Sequence, residues 1–158
     1  MSHWIKEPFS FHDTQKLLFK LAERVKAFHG LTPAEIGELL INAEKCTFEP
    51  FADIVTEGNS GIHMYIILSG SAKVTKRSRN GDLELARLGA ADSFGEIALV
   101  DKETRSATVT ALEPSVLVRI SDQAIDSHPV AGLKIYHNIC RVLAQRLRDA
   151  DEQLAWRL

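Results

Sequence analysis

Between residues 46 and 121 the chain consists of short β-prone segments separated by turns that contain glycine, serine and asparagine. The segments are Asp53–Thr56, Met64–Leu68, Ala72–Thr75, the stretch around Leu83 and Leu85, Arg105–Leu112 and Val116–Ile120. Asn80-Gly81 predicts a tight hairpin, because both residues accept the positive φ that a primed turn requires. Many short strands at close, regular spacing are typical of an antiparallel sandwich or barrel. We therefore expect a mainly β fold.

Helical patterns precede this β region. A first helix is indicated by apolar residues at helical spacing, which are Leu17, Leu21, Val25 and Phe28. A second helix is predicted to begin at Thr32, whose hydroxyl can cap it while Glu35 reaches back to complete a capping box. This helix is expected to end near Ala43, so residues 1–45 form an N-terminal helical part.

The C-terminal part, residues 122–158, is also predicted to be helical, with Pro129 in the first turn of a long helix. Apolar residues of this helix are separated alternately by three and four positions. They are Leu133, Tyr136, Cys140, Leu143, Leu147, Ala150 and Leu154. Such a heptad seam predicts a parallel homodimer through the C-terminal helix. We expect residues 1–158 to form one domain, with residues 46–121 as a β-roll between the helical parts.

Composition and charge exclude several classes of protein. The formal net charge is −2 and no run of Lys or Arg is present, so we expect no direct DNA binding by this chain. No apolar stretch is long enough to cross a membrane, and Met1–Phe11 lacks the hydrophobic segment of a signal peptide, which predicts a cytoplasmic protein. Cys46 and Cys140 lie far apart without a CxxC pattern, which excludes a disulfide framework and a recognisable zinc site.

The stretch from residue 94 to residue 109 contains the chain's most informative chemistry. Gly95 permits a backbone turn that other residues resist. Glu96–Val100 can form a single helical turn, whose leading N–H groups attract an anion. Arg105, which we expect to open the next strand, offers a planar fork of donors suited to a phosphate. From the residues alone, a surface ion pair between Glu96 and Arg105, worth about 0–1 kcal/mol, remains the alternative.

A carboxylate at Glu96 needs an explanation beside an anion site, because like charges repel. A ligand with a hydroxyl donor next to its phosphate supplies one, and a ribose 2′-OH beside a cyclic phosphate is such a ligand. A cyclic phosphate is a diester with one negative charge, so Arg105 and backbone N–H groups suffice and no metal ion is required. The Ser106 hydroxyl can reach the phosphate or a base edge.

This stretch resembles the phosphate-binding cassette of cyclic nucleotide-binding domains, as in bacterial catabolite activator-type regulators and the regulatory subunits of cyclic AMP-dependent protein kinase. The similarity extends to Glu57-Gly58, Met64–Gly70 and Leu88–Phe94, and covers roughly residues 31 to 154. The resemblance implies a jelly-roll, or double-stranded β-helix, with N-terminal helices and a long C-terminal helix. It also implies binding of cyclic AMP or cyclic GMP.

The resemblance further implies a role for each residue of the site. Glu96 accepts a hydrogen bond from the ribose 2′-OH, and Arg105 and Ser106 hold the cyclic phosphate. Backbone contacts are implied for Gly95, Ile97 and Ala98. The full set of nucleotide-binding residues implied in this way is Phe94, Gly95, Glu96, Ile97, Ala98, Arg105, Ser106 and Ala107.

The chain departs from the family's pattern at three places. Ala91 replaces a usual glycine and Asn59 a frequent aspartate, and both are expected in turns outside the pocket. Ala150-Asp151 replaces the Thr-Ser pair with which bacterial activators read adenine, so the family favours cyclic AMP while cyclic GMP stays open. Asp151 can accept from the donor edge of guanine. Trp156 can stack on the base, or else it lies in a frayed helix end or a dimer contact.

Other functions require sequence features that differ from these. The bacterial activators continue into a helix-turn-helix, whereas this chain ends at Leu158, which predicts a non-catalytic sensor that acts on an unidentified effector protein in trans. The alternative is a ligand-free structural or dimerisation module of the same fold. A cupin-type enzyme needs several histidine ligands for its metal, and His63 is the only histidine of the β region. A haem or iron–sulfur sensor needs dedicated His or Cys ligands, and the N-terminal cysteine cluster of such sensors is missing.

Overall fold

The structure is a computed structural model that describes the backbone of residues 11–157 and the side chains of residues 16–157. Most of Met1–Phe11, the segment in which the sequence lacks a signal peptide, lies outside the described residues. Five α-helices are present in the described part of the chain: α1 Phe11–Arg24, α2 Pro33–Ile41, α3 Glu96–Asp101, α4 Asp122–Asp126 and α5 Pro129–Ala155. A short 3₁₀ helix, Lys26–Phe28, follows α1. None of the described helices is long and apolar enough to span a membrane.

Eight strands form two four-stranded sheets within the described residues. The strands are β1 Glu44–Phe48, β2 Asp53–Val55, β3 His63–Ser69, β4 Ala72–Ser78, β5 Gly81–Leu88, β6 Ser93–Phe94, β7 Thr108–Ala111 and β8 Ser115–Ser121. The first sheet has the order β1-β8-β3-β6 and the second β2-β7-β4-β5, and all paired strands are antiparallel. Two facing antiparallel sheets that exchange strands in this way form the predicted jelly-roll.

Strand β3 shows how the two cores are divided. Successive side chains of a strand point to opposite faces. Met64 and Ile66 pack with the helices on one side, whereas Tyr65 and Ile67 face the interior between the sheets. All four side chains are buried. The roll therefore has a filled interior and an outer face that carries the N-terminal helices and α5.

The first half of α5 is fixed to this outer face. Ile135 and Ile139 are fully buried in the helical core. Between them, the buried Asn138 amide donates from Nδ2 to the carbonyl oxygens of Ala27 at 3.1 Å and His29 at 2.7 Å. These bonds satisfy carbonyls of the 3₁₀ segment that lack helical partners. They fix where the remainder of α5 runs relative to the β-roll.

Several local predictions are confirmed. The Thr32 hydroxyl accepts from the Glu35 backbone N–H at 3.2 Å, while the Glu35 carboxylate accepts from the Thr32 N–H at 2.8 Å, which is the predicted capping box. The turn Glu96–Asp101 is helical. Pro129 is the first residue of α5.

Two predictions are wrong in detail. Arg105 does not open a strand, because β7 begins only at Thr108 and Arg105 lies in the preceding loop. The hairpin between β4 and β5 exists, but Ser78 pairs with Gly81, so the turn residues are Arg79 and Asn80. Neither Arg79 nor Asn80 has a positive φ, whereas Gly81, the first residue of β5, has a φ of 103°. One glycine after an ordinary turn therefore replaces the expected pair of positive-φ residues.

Candidate functional site

The segment that resembles a phosphate-binding cassette, residues 94–109 and called the cassette below, begins with Phe94 at the end of β6 and enters α3 through Gly95. This glycine has a φ of 80°, in the left-handed region that a side chain disfavours. A Cβ at Gly95 would lie 2.8 Å from Arg105 Nη1 and 2.9 Å from the His63 carbonyl oxygen. Glycine is therefore required here for two reasons. It adopts this backbone conformation without strain, and a side chain would collide with the Arg105 guanidinium and the His63 carbonyl oxygen.

Arg105 carries a positive charge that is buried in the protein. Its side chain is buried, with 7% of the residue exposed, and it forms no ion pair with any carboxylate among residues 16–157. Nη1 donates to the Gly95 carbonyl oxygen at 3.3 Å. Burial lowers the pKa of the guanidinium from its ordinary value. A buried cation without a counterion is a strong indication of an anion site.

Aromatic rings and a glycine hold the Arg105 side chain in place. Its guanidinium carbon lies 5.8 Å from the centroid of the Tyr65 ring, within the range of a cation–π contact. Tyr65 is in turn stacked on Phe94 with the ring centroids 5.1 Å apart. On another side, a Cβ at Gly61 would lie 2.3 Å from Arg105 Nη2. The guanidinium is thus enclosed by the roll interior and the loop that precedes β3.

The backbone of this loop is also tied to Arg105. The Arg105 N–H donates to the Asn59 carbonyl oxygen at 2.8 Å, and the Gly58 N–H donates to the Arg105 carbonyl oxygen at 2.9 Å. Asn59 was expected in a turn away from the pocket, but its main chain contacts a central residue of the site directly. Ala91 fits its expected turn, since its φ of 72° explains why a glycine suits that position.

Glu96 lies at the other end of the cassette and is almost completely buried, with 1% of the residue exposed. Its Oε1 accepts from the Ser93 hydroxyl at 2.7 Å. Its Oε2 accepts from Arg146 Nη1 of α5 at 3.4 Å, and Arg146 Nη2 donates to the Ser93 carbonyl oxygen at 3.1 Å. The surface ion pair between Glu96 and Arg105 that was considered above is therefore absent. The carboxylate is linked to the long helix instead.

Sequence reasoning did not find Arg146. The signal that indicates it is helical periodicity, because Arg146 continues the stripe of Ile135, Ile139 and Val142 that faces the protein. A basic residue on a buried stripe needs a carboxylate or carbonyl partner. The partner, however, is fifty positions away in the chain, and only the docking of α5 shows that it is Glu96.

The remaining residues of the predicted set differ in exposure. Phe94 and Ala98 are buried, Ile97 is 40% exposed, and Ala107 is partly exposed. Ser106 is exposed, and its carbonyl oxygen accepts from Lys76 Nζ at 2.6 Å. The cassette therefore presents its backbone and the Ser106 hydroxyl on the same loop that carries Arg105.

The three residues suggested as base contacts lie at the C-terminal end of α5. Ala150, Asp151 and Trp156 are exposed on the last turns of α5, and Trp156 is 90% exposed. No hydrogen bond within residues 16–157 joins their side chains to the cassette.

Residues 45–127 match the family described as the cyclic nucleotide-binding domain. The chain belongs to the cyclic nucleotide-binding domain family. This match covers about half of the chain and includes every residue of the cassette. Together with the jelly-roll, it confirms the resemblance and the fold class expected from the sequence.

Related proteins of this family include regulators from bacteria and kinases from protists. The chain is 29% identical to the CRP-like cAMP-activated global transcriptional regulator of Mycobacterium tuberculosis over 86% of its own length and 61% of the regulator's. It is 41% identical to the cGMP-dependent protein kinase of Toxoplasma gondii over 65% of its own length, but over only 10% of the kinase's. The chain thus spans about three fifths of the bacterial relative and a small part of the kinase.

Solved structures of the family give the same fold. A cyclic nucleotide-binding domain from Methylobacillus flagellatus superposes with a TM-score of 0.83 at 21% identity, covering 98% of this chain and 89% of that one. At this identity the likeness is one of fold. It includes the helices that flank the roll, because nearly the whole chain takes part.

The structure also bears on the metal-dependent alternatives. His63, the histidine of the β region, is the first residue of β3. Burial lowers its pKa, and the nearby charge of Arg119 lowers it further. Across the part of the chain that the structure describes, no three His, Cys, Asp or Glu side chains are grouped so that they could hold a metal ion.

Proposed function

We propose that the cassette binds a 3′,5′-cyclic nucleotide and that the chain is a non-catalytic sensor. The observation that carries this proposal is Arg105, a buried guanidinium without a carboxylate partner among the described residues. Two glycines, Gly61 and Gly95, leave room for it, so the chain maintains an unneutralised charge by specific geometry. A bound anion supplies the missing counter-charge.

The charge of the site favours a phosphodiester. One guanidinium balances the single negative charge of a cyclic phosphate, and the free N–H groups at the start of α3 add donors. The proposed phosphate contacts are the side chains of Arg105 and Ser106 with the backbone of Ile97, Ala98 and Ala107. Phe94 contributes through its place beside Gly95 and its stack on Tyr65.

Glu96 is proposed to accept from the ribose 2′-OH. Two of its acceptor positions are occupied, one by the Ser93 hydroxyl and one by Arg146 at a long 3.4 Å. A carboxylate has about four acceptor positions, so a ligand hydroxyl can still be accommodated. A hydroxyl is a neutral donor and meets no repulsion, whereas a second phosphate charge near Glu96 does.

Thermal unfolding tests this function. If ligand is present at one hundred times its dissociation constant, binding to the folded state alone adds about 2.7 kcal/mol of stability. For a chain of this size the melting temperature then rises by roughly 5–10 °C. Cyclic AMP or cyclic GMP should produce this shift and linear 5′-AMP much less. If neither cyclic nucleotide shifts the melting temperature, the chain is the alternative, a ligand-free module of the same fold.

The base is proposed to be covered by the end of α5, from the same or a neighbouring protomer. Family members named above include one activated by cAMP and one dependent on cGMP, so both nucleotides are candidates. Asp151 suits the guanine edge and Trp156 suits stacking, which is worth about 1–3 kcal/mol. With Trp4 replaced by Phe, the fluorescence of Trp156 should change on saturation. An unchanged spectrum together with full affinity in Trp156→Ala would exclude this cap.

A parallel homodimer through α5 is proposed from its uncovered seam. Leu133, Leu147 and Leu154 are 74%, 63% and 59% exposed, while Tyr136 and Leu143 pack partly against the protomer's own core. An exposed apolar stripe of this length favours association with a second copy. Leu147→Asp with Leu154→Asp should give monomers in light scattering, and Leu83→Asp, a change at another half-exposed leucine, should not. A wild-type monomer at micromolar concentration would disprove the dimer.

The biological setting is proposed from the sequence and the family. We place the sensor in the cytoplasm and assign its output to an effector protein in trans. Because the bacterial relative is longer than this chain, the relative's activity as a whole is not transferred to it. The three-part division into residues 1–45, 46–121 and 122–158 remains part of this proposal.

A further inference from the structure

A second concave surface lies beside the cassette, between the N-terminal helices, α5 and the segment that joins β5 to β6. It is a groove of about 730 Å³. We call it the basic groove, because six cationic side chains line it: Arg24, Lys26, Arg87, Arg141, Arg146 and Arg148. It shares Ser93 and Arg146 with the surroundings of Glu96, but Gly95, Glu96 and Arg105 do not line it. It is therefore a separate surface from the proposed nucleotide site.

The charge of the groove is opposite to that of the chain. Three acidic residues, Glu23, Asp92 and Asp149, also line it, which leaves an excess of three positive charges among its described residues, whereas the whole chain has a formal charge of −2. Two of these carboxylates already accept local hydrogen bonds, Asp92 from the Gly89 N–H and Asp149 from the Gln145 amide. Arg87 and Arg146 are paired with Glu84 and Glu96, so the unpaired positive charge of the groove comes from its other four cations.

Four of the six cations lack an ion-pair partner within the residues that the structure describes, namely Arg24, Lys26, Arg141 and Arg148. They come from three different elements, α1, the 3₁₀ helix and α5. Like charges placed around one concave surface repel one another, and a bound anionic group relieves that repulsion. The cations without ion pairs around this groove therefore indicate an anionic ligand.

The groove stays accessible in the proposed dimer. Arg141, Gln145 and Arg148 are spaced four and three apart and so lie on one stripe of α5. At 100° per residue, this stripe is about 140° around the helix from the centre of the heptad seam. A second protomer seated on the seam therefore leaves the basic groove open to another partner.

We propose that the basic groove docks an acidic segment of a partner protein. No Phe, Tyr or Trp among residues 16–157 lines it, so this part of the chain offers the groove no aromatic platform on which single-stranded nucleic acid stacks. Its concave shape, with walls from three helical elements and the β5–β6 segment, does not fit a flat membrane surface. Carboxylates spaced along an extended peptide match cations that are distributed over several elements, and complementary charge of this kind also speeds association.

Binding of a short fluorescein-labelled peptide of alternating glutamate and serine, followed by fluorescence anisotropy at low salt, tests this proposal. Arg141→Glu reverses an exposed groove charge and should weaken binding about tenfold or more, because attraction becomes repulsion. Arg79→Glu makes the same change in the exposed β4–β5 turn, outside the groove, and should leave the affinity unchanged. Circular dichroism confirms that both variants fold. Cyclic nucleotide is left out, so the result does not depend on the nucleotide site.

Three outcomes overturn the proposal. The first is absence of peptide binding by the wild-type protein. The second is equal weakening by Arg141→Glu and Arg79→Glu, which indicates attraction to net charge without a site. The third is tighter binding of oligothymidylate, or of phosphatidylserine vesicles, than of the peptide. Binding that prefers the peptide, is lost in Arg141→Glu and declines with added salt supports it.

Discussion

The two ends of the cassette hold their buried charges in different ways. Arg105 is surrounded by glycines, carbonyl oxygens and the Tyr65 ring, and no described carboxylate neutralises it. Glu96 is equally buried but has two partners, Ser93 and Arg146. One end therefore carries an uncompensated charge, while the other is already connected to α5. A ligand that contacts both ends compensates a charge at the first and adjusts a link to the helix at the second.

The largest effect is expected at the uncompensated end. Arg105→Leu should lower the affinity for cyclic nucleotide by about 2–5 kcal/mol, because the phosphate loses its only buried cationic partner in the cassette. Isothermal titration measures this loss, with circular dichroism as the folding control. Arg79→Leu, which removes an exposed guanidinium elsewhere, should bind as the wild type does. Retention of affinity in Arg105→Leu would remove the distinction between the two ends.

A smaller effect is expected when Arg105 is displaced without being removed. In Gly61→Ala the new Cβ would lie 2.3 Å from Arg105 Nη2, so the guanidinium has to move. The affinity for cyclic nucleotide should decline about tenfold, or about 1.4 kcal/mol. Gly89→Ala is the matched control, since a Cβ there meets nothing within 4 Å. Equal affinities for the two variants would mean that the position of the guanidinium is unimportant.

The structural features behind these two predictions could be predicted from the sequence to different extents. The cassette, the capping box at Thr32 and the turn at Gly95 are determined by nearby residues, and all were predicted. The hairpin was placed correctly, but its turn residues were not, because strand register is decided by pairing with β4 and not by the Asn-Gly pair alone. Arg105 was assigned to a strand because its neighbours are β-prone, whereas its backbone hydrogen bonds with Asn59 and Gly58 keep it in a loop.

The contacts that remained hidden are those between distant segments. In the sequence Gly61 is an ordinary turn residue, and only the folded structure shows that its lack of a side chain leaves room for Arg105. Helical periodicity places Arg146 on the face of α5 that turns toward the protein, but its partner Glu96 is identified only when α5 is docked through Asn138 and its neighbours. Sequence patterns indicate which face of a helix is buried, but the partner on the opposite element depends on the whole packing arrangement.

The smallest effect is expected at the compensated end. Glu96→Gln and Arg146→Leu should each lower the free energy of unfolding by about 1 kcal/mol, since one side of a partly buried pair is removed. The double variant should lose less than the sum, with a coupling of about 0.5 kcal/mol or more. Urea unfolding of the four proteins gives this cycle. Strict additivity would show that the Glu96–Arg146 contact contributes nothing to the attachment of α5.

The central claim is that the cassette is a site for cyclic nucleotides, and isothermal titration of the wild-type protein tests it most directly. Cyclic AMP and cyclic GMP are titrated separately, with 5′-AMP as the linear counterpart. We expect saturable binding of at least one cyclic nucleotide with one site per protomer, and about tenfold or more weaker binding of 5′-AMP. No binding heat from either cyclic nucleotide at ligand concentrations on the order of 1 mM would contradict the account. So would affinity for 5′-AMP equal to that for the cyclic forms.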